Sequence, residues 1–206
     1  MELATLPKDD LLPDGRPSYS RKVIRESLAL LRSHLGMEVA FVGRFADGRR
    51  WFEYVDADQT FSPIEPGDSD PLEETYCSMV VDGRIPELIR DTGALDLLRR
   101  TEATTILPIG SHLSVALVGA DDVPVGTLCC FSREPDADLR ERDLEVLRMF
   151  AELIGSHLQF LLAHDQRTRG VRERVDEIVA AGGPRIALQP IRNILTGGTR
   201  GFEALA

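Results

Sequence analysis

Apolar positions along this chain change their period several times, and each change marks an element. Ile24, Leu28, Leu31 and Leu35 succeed one another at intervals of four, three and four. That spacing predicts an amphipathic helix starting near Ser20, with Gly36 as its stop. Residues 38–45 and 50–57 are strand-like runs joined by Ala46-Asp47-Gly48, and Asp-Gly between two apolar runs predicts a hairpin. Residues 59–69, with Pro63, Pro66 and Gly67, read as a loop. Asp70-Pro71-Leu72-Glu73 then has the form of a helix start, with Asp70 as cap, Pro71 at the first helical position and Glu73 closing a capping box. The helix is expected to run to Asp82 and stop at Gly83. Residues 85–92 form a short extended stretch, and residues 95–100 one or two helical turns. Residues 106–118 and 125–132 predict a second pair of strands around an acidic turn at Asp121-Asp122, with residues 103–107 leading into the first. Asp138 and Glu141 repeat the capping-box spacing and open a long helix.

Helix, hairpin, loop with helix, short strand, hairpin and long helix imply an α+β fold, an antiparallel sheet with helices packed on it. A small cavity between the sheet and its loop layer is a natural ligand site. There are no internal repeats. Residues 1–19 contain Pro7, Pro13, Gly15 and Pro17 among polar residues and are expected to be a flexible tail. Along the long helix, Leu144, Leu147, Ala151, Ile154, Leu158 and Leu161 alternate spacings of three and four, an a/d heptad seam. Val171, Val175 and Ile178 resume it after a polar stretch, offset by a stammer. The seam and the Ile24-to-Leu35 stripe are expected to pair across a two-fold axis in a homodimer, while also covering part of the sheet. Gly182-Gly183-Pro184 ends the helix and marks a boundary.

Composition narrows the classes. The 206 residues carry a net charge of −10. Nucleic-acid binding wants a basic stripe, and anionic lipid wants basic residues, so neither partner is expected. No uninterrupted run approaches the ~18 apolar residues of a membrane span, and the first ten residues do not form a signal peptide. Three cysteines, an odd number, do not make a disulfide framework. A cytoplasmic, reducing location is the expectation.

Two stretches carry resemblances. Residues 184–206 contain Ile186-Ala187-Leu188-Gln189-Pro190-Ile191, a glycine turn at Thr196-Gly197-Gly198, and Gly201-Phe202-Glu203-Ala204-Leu205-Ala206. In that order they resemble the opening of an EAL domain, a magnesium-dependent phosphodiesterase acting on cyclic di-GMP. The resemblance implies Glu203 as a metal-ligand carboxylate and Gln189 as a substrate contact. The pattern departs at Arg192-Asn193, where an aliphatic-Asp pair is usual. Such a site needs several converging ligands and a barrel of ~200 to 250 residues. These 206 residues are therefore expected to hydrolyse nothing, and magnesium and cyclic di-GMP to belong to the full-length protein.

Upstream, Glu74-Thr75-Tyr76-Cys77-Ser78 with Val81-Asp82-Gly83, then Ile109-Gly110-Ser111-His112-Leu113-Ser114-Val115, then Val125-Gly126-Thr127-Leu128-Cys129-Cys130-Phe131-Ser132, resemble a GAF domain. The division expected is a tail over 1–19, a GAF-like sensory domain over 20–163, a signalling helix and linker over 164–183, and the start of an EAL domain over 184–206. A signal in the GAF pocket would shift helix packing and reach the catalytic domain through the long helix.

The ligand is left unknown, and no cofactor is expected in these residues. No Cys-His pair is present, so bilin attachment is not expected, and the Asn-Lys…Phe…Asp-Glu signature of cyclic-nucleotide binding is absent. Haem is an alternative; His34, His157 and His164 fall on helices, and His112 alone lies near the expected pocket. Redox sensing is another, in which alternation separates Cys129 from Cys130 and leaves Cys77 as a candidate partner. For the function as a whole the alternatives are a standalone small-molecule sensor, haem or redox sensing included, and a ligand-free dimerisation scaffold. Trp51, Tyr54, Phe61, Tyr76, Cys77, Met79, His112 and Cys129 are the candidate pocket residues, with core packing as the plainer reading of each.

Overall fold

The computed structural model describes residues 16–58, 60–61, 63–100, 107–119, 122–183 and 186–205. The expected tail through Gly15, most of the lead-in at 103–107, Asp121 of the acidic turn and Pro184 of the boundary lie outside them. The chain divides into two compact units, Met1–Leu162 and Ala163–Ala206.

The first unit is built on a six-stranded antiparallel sheet. Helix α1 (Arg16–Leu35) leads into β1 (Val39–Ala46) and β2 (Arg49–Ala57). Asp47 and Gly48 join them with φ of 54° and 70°, the two positive values a tight primed turn requires and the reason the dipeptide is legible. A short β3 (Ser69–Pro71), a 3-10 turn at Leu72–Glu74 and α2 (Tyr76–Val81) follow, then β4 (Leu88–Ile89), β5 (Ser111–Val118), β6 (Pro124–Ser132) and α3 (Glu141–Ala180), whose residues from Ala163 on belong to the second unit. The sheet order is β3-β2-β1-β6-β5-β4. Its central strands, β1 and β6, are buried on both faces.

Alternation along the strands divides the core in two. Ala40, Val42, Leu113, Val115, Leu117, Leu128 and Cys130 face α1 and α3, where they meet Ile24, Leu28, Leu31 and the long helix. Val39, Phe41, Phe52, Cys129 and Phe131 face α2 and the loop layer, where they meet Tyr76, Cys77, Met79, Ile85, Leu98 and Ile109. Each large side chain so buried contributes about 1.5–3 kcal/mol.

Several expectations change against this frame. Asp70 does not cap α2: it lies in β3, paired with Arg50 of β2. The cap is Thr75, whose hydroxyl accepts from the Ser78 N–H at 3.1 Å. At α3, the Asp138 N–H is tied to the Asp136 carboxylate, and Asp143 instead reaches back to the Arg140 N–H. The proposed dimer seam is spent inside the domain: Leu144, Leu147, Ala151, Ile154, Leu158 and Leu161 are all buried in the helix-side core, as are Ile24, Leu28 and Leu31. Toward its end α3 keeps Val171, Val175, Ile178 and Val179 apolar and exposed, as are Met149 and Leu153 nearer its start. One window of α3 reaches a mean hydropathy of 1.3, long and apolar enough to cross a membrane by length and composition, although it is not an uninterrupted apolar run; 28% of it is buried inside the protein.

In the second unit, β7 (Ala187–Arg192) and β8 (Thr199–Leu205) form an exposed antiparallel hairpin in which Gln189 stands directly opposite Glu203.

Candidate functional site

The loop-facing side of the sheet concentrates the polar chemistry. Arg50 alternates with Trp51, so it shares a face with Phe52 and enters the interior, where it is 5% exposed. Its guanidinium lies 4.3 Å from the Phe52 ring centroid and 5.4 Å from that of Phe41. Nη2 donates to the Asp70 carboxylate, and Nη1 donates to Cys77 Sγ at 3.3 Å. Cys77, on α2, approaches Cys129 of β6 with its sulfur 3.5 Å away. Ser114 Oγ and Thr127 Oγ1 surround the Cys129 sulfur at 3.1 and 3.2 Å.

These contacts set the charges. Burial alone would raise the Cys77 thiol, but its hydrogen bond with Cys129 and the Arg50 guanidinium outweigh burial and bring it down to about 6. Burial and the neighbouring Cys77 push Cys129 well up. Burial works against the charge on Arg50 too, and Cys77 and Asp70 more than restore it. The cluster is therefore a buried guanidinium held by the Asp70 carboxylate and by the Cys77 sulfur, whose ionised form it favours, with the Cys129 thiol against the latter. Cys130, on the opposite face, is held protonated by burial.

Next to this cluster is a small, partly open cavity of about 10 Å³, bordered by Arg50, Tyr76, His112 and Phe131 among others. It has room for about one water molecule. The His112 ring stands edge-on to Tyr76 at 5.2 Å between centroids. Burial, then the Arg50 charge, lower His112 to about 3, so its imidazole is neutral. His112 Nδ1 and Arg50 Nε find no hydrogen-bond partner among the described residues.

Of the candidate pocket residues, Tyr76 and His112 border the cavity, and Cys77, Met79 and Cys129 pack in the adjoining core. Trp51 is half-buried and does not border it. Tyr54 is a correction: it packs against the helix-side core. A register shift at Val42/Gly43 reverses the alternation, so Tyr54 and Phe52 lie on opposite faces although two residues apart. Phe61 packs at the margin of the loop-side core, with Arg133 stacked over its ring at 4.4 Å. Arg50, the centre of the cluster, was not among the sequence candidates. A charged residue in phase with Phe52 in a half-buried strand is the signal that marks it.

Ligand pockets for molecules of bilin or haem size are about 300–1,000 Å³. Among the described residues, the cavity beside His112, at about 10 Å³, is far smaller than that. Magnesium fits no better: among the described residues no three His, Cys, Asp or Glu side chains converge, and Glu203 lies exposed on β8.

The comparisons agree with this architecture. The phycocyanobilin-bound GAF domain of a cyanobacterial phytochrome superposes with a TM-score of 0.58 at 15% identity, over 78% of this chain and 98% of that one. A methyl-accepting chemotaxis protein gives 0.56 at 18% identity, over 71% and 96%. At these identities the likeness is one of fold. In sequence, the cyclic di-GMP phosphodiesterase PA2567 of Pseudomonas aeruginosa is 25% identical over 144 residues, 68% of this chain. The chain spans only 23% of that relative's length. The GAF-domain family model matches residues 20–159, and the chain belongs to the GAF family.

Proposed function

We propose that this chain is the sensory and dimerising region of a cyclic di-GMP phosphodiesterase, with its GAF domain biasing a catalytic domain of the EAL type. The observation that carries the reading is the β7–β8 hairpin downstream of the GAF domain. Its register sets Gln189 opposite Glu203, the two positions that the EAL resemblance assigns to substrate and metal. The similarity to PA2567, whose name states that activity, supports the same reading.

In this reading the 206 residues hydrolyse nothing alone, because magnesium requires ligands other than those described. Two chains associate through the exposed Val171, Val175 and Ile178 stripe of α3 rather than through the buried seam. Extending the reading frame past residue 206 and assaying the protein expressed from the whole frame tests the proposal. Conversion of cyclic di-GMP to its linear product is expected, with loss of more than about a hundredfold in Glu203→Ala. A frame with no further barrel strands, or turnover indifferent to Glu203→Ala, overturns it.

The cavity favours a second reading of the GAF domain itself. With room for about one water molecule, it acts as a dimerisation scaffold or responds to a very small reactant, not to a planar chromophore.

A further inference from the structure

We propose that Cys77 and Cys129 form a peroxide-responsive dithiol, because their sulfurs meet at 3.5 Å beside the Arg50 guanidinium, and that its closure to a disulfide ties α2 to the central strand β6. The two residues are 52 positions apart in sequence, so the fold, not chain proximity, brings them together. A disulfide needs sulfurs about 2.05 Å apart, a further approach of ~1.5 Å that side-chain rotation on a short helix can supply. The two thiols do not share a backbone element, which removes the alternation that keeps Cys129 and Cys130 apart.

The chemistry proceeds in two steps. The Cys77 thiolate attacks one oxygen of hydrogen peroxide; an S–O bond forms, the O–O bond breaks, and the departing hydroxide takes a proton to become water. Cys129 then attacks the sulfenic sulfur, expelling a second water and leaving the S–S bond. The two thiols lose two electrons and two protons, and the peroxide gains both. Arg50, hydrogen-bonded to Cys77, stabilises the attacking anion, and Ser114 and Thr127 hold the Cys129 sulfur in place. Both sulfurs are fully buried, which restricts the oxidant to a molecule of hydrogen peroxide's size. The small cavity bordered by Arg50 gives the interior slack beside the pair.

Oxidation also alters the charge balance. Before it, Arg50 is compensated by Cys77 and Asp70; afterwards Asp70, on the sheet-edge strand β3, carries the compensation alone among the described contacts. A buried guanidinium that loses a counter-charge is costly to keep. Closure therefore strains the β2–β3 edge and α2 together. This proposal does not depend on the phosphodiesterase reading.

The test is a peptide map of the native chain after hydrogen peroxide treatment, with alkylation of free thiols under unfolding conditions. The expected product is a Cys77–Cys129 linked peptide two hydrogens lighter than the pair, with Cys130 alkylated as an internal reference. In Cys129→Ser, Cys77 is expected to be trapped as a sulfenic acid by dimedone. Should that variant fail to fold, the map of the native chain decides. Three alkylated thiols after peroxide, a bridge that includes Cys130 or joins two chains, or Cys77 carrying two added oxygens without a bridge would overturn the proposal.

Discussion

Gly126 shows how one residue type follows from one distance. A Cβ at this position would sit 2.0 Å from the carbonyl oxygen of Gly43 on the neighbouring strand, far inside contact, and backbone has little freedom to give way. Gly126→Ala is expected to cost more than about 2 kcal/mol and to lower the midpoint of thermal or urea unfolding accordingly; an unchanged midpoint would mean that β1 and β6 separate easily. Gly126 opens the Gly-Thr-Leu run that makes the GAF resemblance recognisable, and the close approach is its physical cause. Other residues were less legible. The Asp70-to-Glu73 spacing imitates a capping box, yet Asp70 is claimed by Arg50 on the adjacent strand. Local spacing carries no information about that partner. Cys77 and Cys129 were weighable only as a conceivable pair, because their 3.5 Å approach is made by packing.

Elements set by local chemistry agree well with the sequence reading. The β1–β2 hairpin follows from Asp47-Gly48, and the α2 stop from Gly83, whose φ is 68°. The long helix shows where periodicity stops being decisive. A heptad seam and a sheet-covering face both need apolar residues every three or four positions, so Leu144 to Leu161 fit either. Burial assigns them to the sheet. The consequence is a contrast along one helix. Leu147→Ala, at a fully buried position, is expected to cost about 2–5 kcal/mol of domain stability in urea unfolding. Val175→Ala, at a position 51% exposed, is expected to stay within about 0.5 kcal/mol. Equal losses at the two sites would show that α3 is not divided in this way. The faces of β2 were harder to read, because a bulge opposite Gly43 changes the phase and sends Tyr54 to the helix side.

For the whole molecule, light scattering is expected to give twice the chain mass at working concentration, with Val171→Ser/Ile178→Ser returning it to a monomer. A monomeric native chain, or a dimer indifferent to both substitutions, would remove the exposed stripe as the association surface. The α+β class and the antiparallel sheet were readable from element order alone, since hairpins cannot make parallel neighbours. The strand order was not: nothing local announces that β1 takes β6 as its second partner. That pairing joins the first strand of the domain to its last long one, Val39 to Phe131. During synthesis β1 can pair with β2 almost at once, but its other edge waits until the ribosome has passed Ser132. Over that interval Val39 to Val42 lie along an open apolar edge, the condition in which nascent strands find wrong neighbours. Expression yield of this domain is thus governed by how quickly its final hairpin and covering helix emerge, and slowed translation ahead of residue 124 would reduce it more than the same delay after the sheet has closed.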